Sequence, residues 1–206
     1  MFMRSEQIRN GMKSKIILSD CDGVLVNWID ACIDWAVKNG NTLKSDHQDH
    51  YAVEDKFEGM TTAQGLELVY EFNETECISS LVPERDALKY IPEIVAAGYR
   101  LHVITAITDN PVVVQRRVHN LKSLYGDIFT EITCVGNNKS KTEHLAEYKD
   151  SGCYWIEDSP THAIDGHKLG LETILMAHDH NVDFDHDDIH VVNNWKEIHA
   201  LIMENI

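Results

Sequence analysis

Basic charge is scarce in this chain of 206 residues: 18 Lys and Arg stand against 34 Asp and Glu, leaving a formal charge of −16. Such a surface repels a phosphate backbone and carries no basic stripe, which excludes a nucleic-acid polymer as partner. Paired cysteines are also lacking. Cys21, Cys32, Cys77, Cys134 and Cys153 are odd in number, widely spaced and never arranged as CxxC. That excludes a disulfide framework and a structural zinc site, and it fits a reducing, cytoplasmic setting. No apolar run approaches the roughly 20 residues of a membrane span, and no apolar core follows the charges of Met1 to Lys15, so neither membrane contact nor secretion is expected. The acidic excess opposes small anions at long range too. A phosphate site here needs local positive charge, most economically a divalent cation.

What the chain does have is the composition of a folded globular protein, 43% hydrophobic and 25% charged. Short β-branched runs at Ile16 to Leu18, Leu101 to Thr105, Ile132 to Val135, Cys153 to Ile156 and Glu172 to Met176 predict five strands. Helical spacing predicts helices from Trp28 to Ala36, from about Leu88 to Val95, from Pro111, from Lys141 to Tyr148, from Pro160 to Leu169 and from Trp195. Strands alternating with helices imply an α/β protein with a parallel sheet covered on both faces. Residues 41–85 break this rhythm. They are polar and acidic, hold no convincing strand, and show helical patterning at Thr61 to Phe72 and, more weakly, at Asn73 to Leu81.

Functional groups of open parallel sheets collect at the carboxyl ends of the strands. Here the first strand ends in Asp20-Cys21-Asp22-Gly23, the second in Thr105, the third leads to Lys139 and Lys141, and the fourth ends in Glu157-Asp158. Each piece alone has an ordinary explanation: a turn, a satisfied hydroxyl, a solvated lysine, a helix cap. Their order at successive strand ends is what carries weight. Two carboxylates two residues apart suit phosphoryl transfer, one attacking phosphorus and one handling the leaving-group proton, with Gly23 permitting the tight turn. A carboxylate facing a phosphate dianion needs a hard cation, and Mg2+ takes oxygen ligands such as Asp20 and Asp158. Lys141 and the Thr105 hydroxyl are then placed for the phosphate oxygens.

The set Asp20-Cys21-Asp22-Gly23-Val24-Leu25, Val103-Ile104-Thr105, Lys141 and Trp155-Ile156-Glu157-Asp158 resembles the four ordered motifs of the haloacid dehalogenase-like (HAD) hydrolase superfamily. The resemblance implies a Rossmann-like core over residues 14–26 and 88–206, with a small helical C1 cap at 27–87. It implies Mg2+ dependence and an aspartyl-phosphate on Asp20, with Asp22 as general acid/base and its main-chain carbonyl on the metal. Thr105 and Lys141 would bind the phosphoryl group, and Asp158 would complete the metal site. The role of Glu157 stays open, as does the choice between Lys139 and Lys141, with Lys141 preferred because it opens a helix.

Within the superfamily the chain is similar to 5'(3')-deoxyribonucleotidases in its first motif followed by Trp28, in Lys141-Thr142 and in Asn194-Trp195-Lys196-Glu197-Ile198. Trp28 would then stack on a nucleobase, against the alternative that it is a core aromatic. Thr105-Ala106-Ile107 departs from the Thr-Ser-Pro-like second motif of that group. The expected substrate is a small phosphomonoester, a nucleoside monophosphate first, a sugar or other small phosphate as the alternative. A phosphomutase and a non-catalytic receiver-like module remain as further readings, although a receiver has no use for the long insertion. The His/Asp-rich run 178–190 mimics a calcium loop at Asp183, Asp185 and Asp187 but lacks its Gly and closing Glu, so a solvated loop is expected.

Overall fold

The computed structural model describes residues 15–136 and 140–204. Six parallel strands form one sheet in the order β3-β2-β1-β4-β5-β6. They are β1 Ile16–Ser19, β2 Arg100–Ala106, β3 Phe129–Val135, β4 Tyr154–Glu157, β5 Glu172–Met176 and β6 His190–Val192. The order reverses between β1 and β4, which are hydrogen-bonded neighbours. The crevice beyond their carboxyl ends is the place where such sheets bind ligands.

Alternation along the strands shows why the sheet is covered on both faces. Ile17, Leu101, Val103, Ile156 and Ile174 join one buried cluster, while Ile16, Leu18, Ile104 and Trp155 join another. Successive side chains of a strand point to opposite faces, so an unbroken apolar run needs cover on both. The first cluster is closed by α3 (Ala87–Ala96) through Ile91 and Ile94, and by α7 (Trp195–Glu204) through Trp195, Ile198 and Ile202. The second is closed by Leu145 of α5 (Lys141–Leu145) and by Tyr148 in the 3-10 turn that follows. The helix expected over 141–148 therefore tightens after its first turn. Ala163 of α6 (Pro160–Lys168) meets Leu175.

The sixth strand corrects the expected five. His190-Val191-Val192 pairs with the edge of β5. It is short and follows a polar run, so it carries little hydrophobic signal of its own.

Between β1 and β2, the insertion holds α1 (Trp28–Lys38), α2 (Thr62–Asn73) and 3-10 turns at His47–Asp49, Val53–Lys56 and Glu76–Ser79. The weakly patterned stretch 73–81 is thus a 3-10 turn rather than a helix. Helix α2 begins with a full capping box, Thr61 accepting from the Gln64 N–H while the Gln64 side chain accepts from Thr61. Phe57, Leu68, Phe72 and Ile78 are buried with Cys32 and Ala36 in the same cluster that lines the sheet. Both ends of the insertion are tied at one neck, where Asn27 N–H donates to Val82 O (2.9 Å) and Glu84 N–H to Leu25 O (3.0 Å).

Candidate active site

The turn after β1 is closed by its own backbone. Leu25 N–H and Val26 N–H both donate to Cys21 O, at 2.8 and 3.0 Å, and Gly23 N–H donates to Val26 O at 2.9 Å. From outside, Trp195 Nε1 donates to Val24 O (2.7 Å) and the His178 ring bonds to Gly23 O (2.7 Å). Asp20 and Asp22 are thereby displayed at the sheet's switch point, beside the end of β4.

Four sequence-predicted residues converge there. Asp20, Glu157 and Asp158 offer carboxylate oxygens that all lie within 4.8 Å of one another. The Lys141 ammonium stands 2.8 Å from Asp20 Oδ1 and 3.1 Å from Glu157 Oε1. Helix α5 starts at that lysine because Ser140 caps it, accepting from Thr142 N–H at 3.1 Å. Lys139 lies outside the described residues.

Two buried carboxylates and a third that is partly buried, beside one ammonium, are short of positive charge. Burial, followed by the nearby Glu157 charge, pushes the carboxyls of Asp20 and Asp158 well above their ordinary range. Burial also acts to raise Glu157, but Lys141 and the His162 hydrogen bond outweigh it and hold that carboxyl at about 2. Burial opposes the charge of Lys141, and its two carboxylate partners more than restore it. A divalent cation would relieve the remaining repulsion, and an all-oxygen donor set suits a hard ion such as Mg2+. The donors present therefore fit the metal that the sequence motifs imply.

Asp22 lines the same cleft but is held apart from this cluster. Its side chain pairs with Arg117, buried in α4 (Pro111–Tyr125), and is not one of the clustered donors. Thr105 is fully buried at the penultimate position of β2, its hydroxyl without a hydrogen-bond partner, while its neighbour Ala106 lines the cleft. Glu157 links Lys141 to His162, whose ring nitrogen lies 2.8 Å from Oε1.

The cleft above these groups measures about 360 Å3 and is walled by the insertion through Trp28, Tyr51, Lys56, Leu66 and Asn73. Trp28 sits in the first turn of α1. It is half-buried, its indole N–H donating to Asn73 Oδ1 (2.9 Å) and its ring meeting Phe72 edge-on at 5.4 Å.

Sequence reasoning missed two contributors. Arg117 falls within the helix expected from Pro111, with nothing in its local pattern to single it out. The run 178–190 is not uniformly a solvated loop, because His178 and His180 line the cleft and Asn181 donates to Asp158 O (2.8 Å) and Met176 O (2.9 Å). The signal for them was position, directly past the carboxyl end of β5. Asp183, Asp185 and Asp187 form no donor group. The second cluster of possible metal donors among the described residues is His167, His186 and Asp188, on the protein's surface.

A family model described as "5' nucleotidase, deoxy (Pyrimidine), cytosolic type C protein" matches residues 14–205. The chain belongs to that family. A curated relative, an uncharacterized 32.4 kDa protein of Enterobacteria phage T4, is 27% identical over 153 residues, covering 71% of this chain and 54% of its own length. The chain thus spans about half the length of that relative. Among solved structures, a haloacid dehalogenase-like hydrolase from Streptococcus pneumoniae superposes with a TM-score of 0.63 at 14% identity, over 92% of this chain and 98% of that one. CbbY from Rhodobacter sphaeroides, in complex with phosphate, gives 0.59 at 15% identity over 91% and 96%. The D,D-heptose 1,7-bisphosphate phosphatase of Burkholderia thailandensis gives 0.56 at 12% over 92% and 99%. These structures share the fold of this chain.

Proposed function

We propose that the chain is a Mg2+-dependent phosphatase that hydrolyses a small phosphomonoester, a nucleoside monophosphate first, through an aspartyl-phosphate on Asp20. The observation that carries this reading is the meeting of Asp20, Glu157 and Asp158 with Lys141 at the sheet's switch point. Asp20 and Asp158, with the Asp22 main-chain carbonyl, would hold the metal, which supplies the charge that lets a carboxylate approach a phosphate dianion.

The protein's own groups do the rest. Asp20 Oδ attacks phosphorus and the ester P–O bond breaks, the departing oxygen taking its proton from the Asp22 carboxyl. Asp22 then takes a proton from water as that water attacks phosphorus, and Asp20 is released as a carboxylate with inorganic phosphate. Lys141 and the unpartnered Thr105 hydroxyl hold phosphoryl oxygens, and Glu157 keeps the ammonium in place.

Residues 27–87 serve as a cap over a core of 14–26 and 88–206, excluding water and shaping the cleft. Trp28, fixed by Asn73 and Phe72, presents an indole suited to a nucleobase. The partner is that small substrate, and the compartment is cytoplasmic, consistent with five free cysteines.

The test is phosphate release from a panel of deoxynucleoside, nucleoside and sugar monophosphates, with Mg2+ or with EDTA. Metal-dependent release that favours nucleotides and disappears in Asp20→Asn supports the reading. Release confined to sugar phosphates moves the substrate class, and no release from any member overturns the hydrolase.

A further inference from the structure

Helix α4 turns one polar face onto the catalytic turn and the neck of the insertion. Tyr125 Oη donates to Leu25 O (2.5 Å), Asn120 Nδ2 donates to Leu81 O (2.9 Å), and Arg117 reaches Asp22. Arg117 is completely buried, one of the largest side chains to be so. Its Nη2 donates to Asp22 Oδ2 at 2.9 Å, and its Nη1 donates to Cys21 Sγ at 3.1 Å. That same Nη1 stands 2.6 Å from Asp22 Oδ1, yet Oδ1 accepts no hydrogen bond. The guanidinium fork therefore grips two consecutive residues of the turn, pinning the carboxylate through one oxygen and leaving the other charge-paired but unbonded. Asp22 keeps about a quarter of its side chain exposed, 26%, on the cleft side. A buried guanidinium is costly unless paired, so this contact has one favourable arrangement and holds the Asp22 side chain to it.

We propose that Arg117 is a positioning residue for the proposed acid/base Asp22, holding its carboxyl group in one orientation at the wall of the cleft, with Oδ1 buried against the guanidinium, so that the partly exposed carboxyl meets the leaving-group oxygen; this rests on the hydrolase reading above. Its function is then felt where proton donation matters. An alkyl phosphate, such as a nucleoside monophosphate, needs its departing oxygen protonated, whereas p-nitrophenolate leaves unaided. A guanidinium that served only to fill the core would affect both alike.

The experiment compares kcat/KM for a nucleoside monophosphate and for p-nitrophenyl phosphate in wild type, Arg117→Met, Arg117→Lys, Asp22→Asn and Asp22→Asn/Arg117→Met, with melting temperatures alongside. Lysine keeps the charge but cannot span Cys21 and Asp22 as a fork. The expected result is a fall of about 10²-fold in the nucleotide-to-nitrophenyl ratio for both Arg117 variants, in the range of lost general acid catalysis. A near-native melting temperature accompanies it in Arg117→Lys, and Arg117→Met causes no further fall on the Asp22→Asn background. If Arg117→Met does not fold, Arg117→Lys decides. An unchanged ratio in a folded, active Arg117 variant overturns the proposal, as does a full additional loss in the double variant. A wild-type chain that turns over neither ester overturns the hydrolase reading and this one with it.

Discussion

Gly23 leaves the space that Asp158 fills: a Cβ on residue 23 would stand 2.3 Å from Asp158 Oδ2 and 2.7 Å from its Cγ. The residue also has a φ of 72°, in the left-handed region. Gly23→Ala is therefore expected to cost roughly 2 kcal/mol or more through backbone strain and overpacking, and to push Asp158 away from Asp20. Thermal melts and Mg2+-dependent turnover check it, the latter expected to fall at least tenfold. A stable, fully active Gly23→Ala would show that the close approach of these two strand ends is unnecessary.

Lys141 is paired with two of the three clustered carboxylates, 2.8 Å from Asp20 and 3.1 Å from Glu157. Its removal in Lys141→Met leaves them uncompensated, which is expected to destabilise the metal-free protein by about 3–5 kcal/mol at neutral pH. Turnover should drop by about 10²–10³-fold. The stability deficit should shrink as pH falls, because the raised carboxyls of Asp20 and Asp158 bind protons more readily folded than unfolded. Denaturant titrations at several pH values measure this, and a deficit that is constant with pH would contradict it.

The sheet and the polar residues gathered at its strand ends were legible because their signals are local. Ile16-Ile17-Leu18 announces a strand buried on both faces, Asp20 and Asp158 directly follow β1 and β4, Thr105 closes the apolar run of β2, and Lys141 opens the helix after β3. The missing parts depend on tertiary contacts. Arg117 lies 95 residues from Asp22 in sequence, and nothing in a helical Gln-Arg-Arg marks one arginine for burial and the other for the surface. Strand β6 is short enough that pairing with β5, rather than its own pattern, defines it. His178 and Asn181 looked like members of a polar run, yet backbone oxygens at Gly23, Asp158 and Met176 draw them inward.

Stability should also depend on His180. Burial, helped by the neighbouring His178, lowers its pKa from the ordinary 6.5 to about 4, so the folded chain keeps it neutral where the unfolded chain protonates. Between these values the unfolded state binds more protons, and stability is lost as pH falls from about 6.5 toward 4, by at most about 3 kcal/mol. In His180→Gln this slope should flatten, as read from melting temperatures across the same range. An unaltered slope would assign the loss to other groups.

Trp28 provides a separate check on substrate class. Its indole is held by Asn73 at 2.9 Å and lines the cleft without being sealed in the core. Replacing it with alanine should raise KM for nucleoside monophosphates by about tenfold, the loss of one stacked base, while leaving that for p-nitrophenyl phosphate nearly unchanged. Equal effects on both would make it a wall residue only.

The aspartyl-phosphate proposed on Asp20 can be trapped directly. Wild-type protein mixed with Mg2+ and a turned-over phosphomonoester, acid-quenched within one turnover and digested, should yield a peptide phosphorylated on Asp20, and Asp20→Asn should yield neither adduct nor turnover. Phosphate release that proceeds undiminished in Asp20→Asn, with no phosphorylated peptide trapped from the wild type, would rule out Asp20 as the phosphoryl carrier.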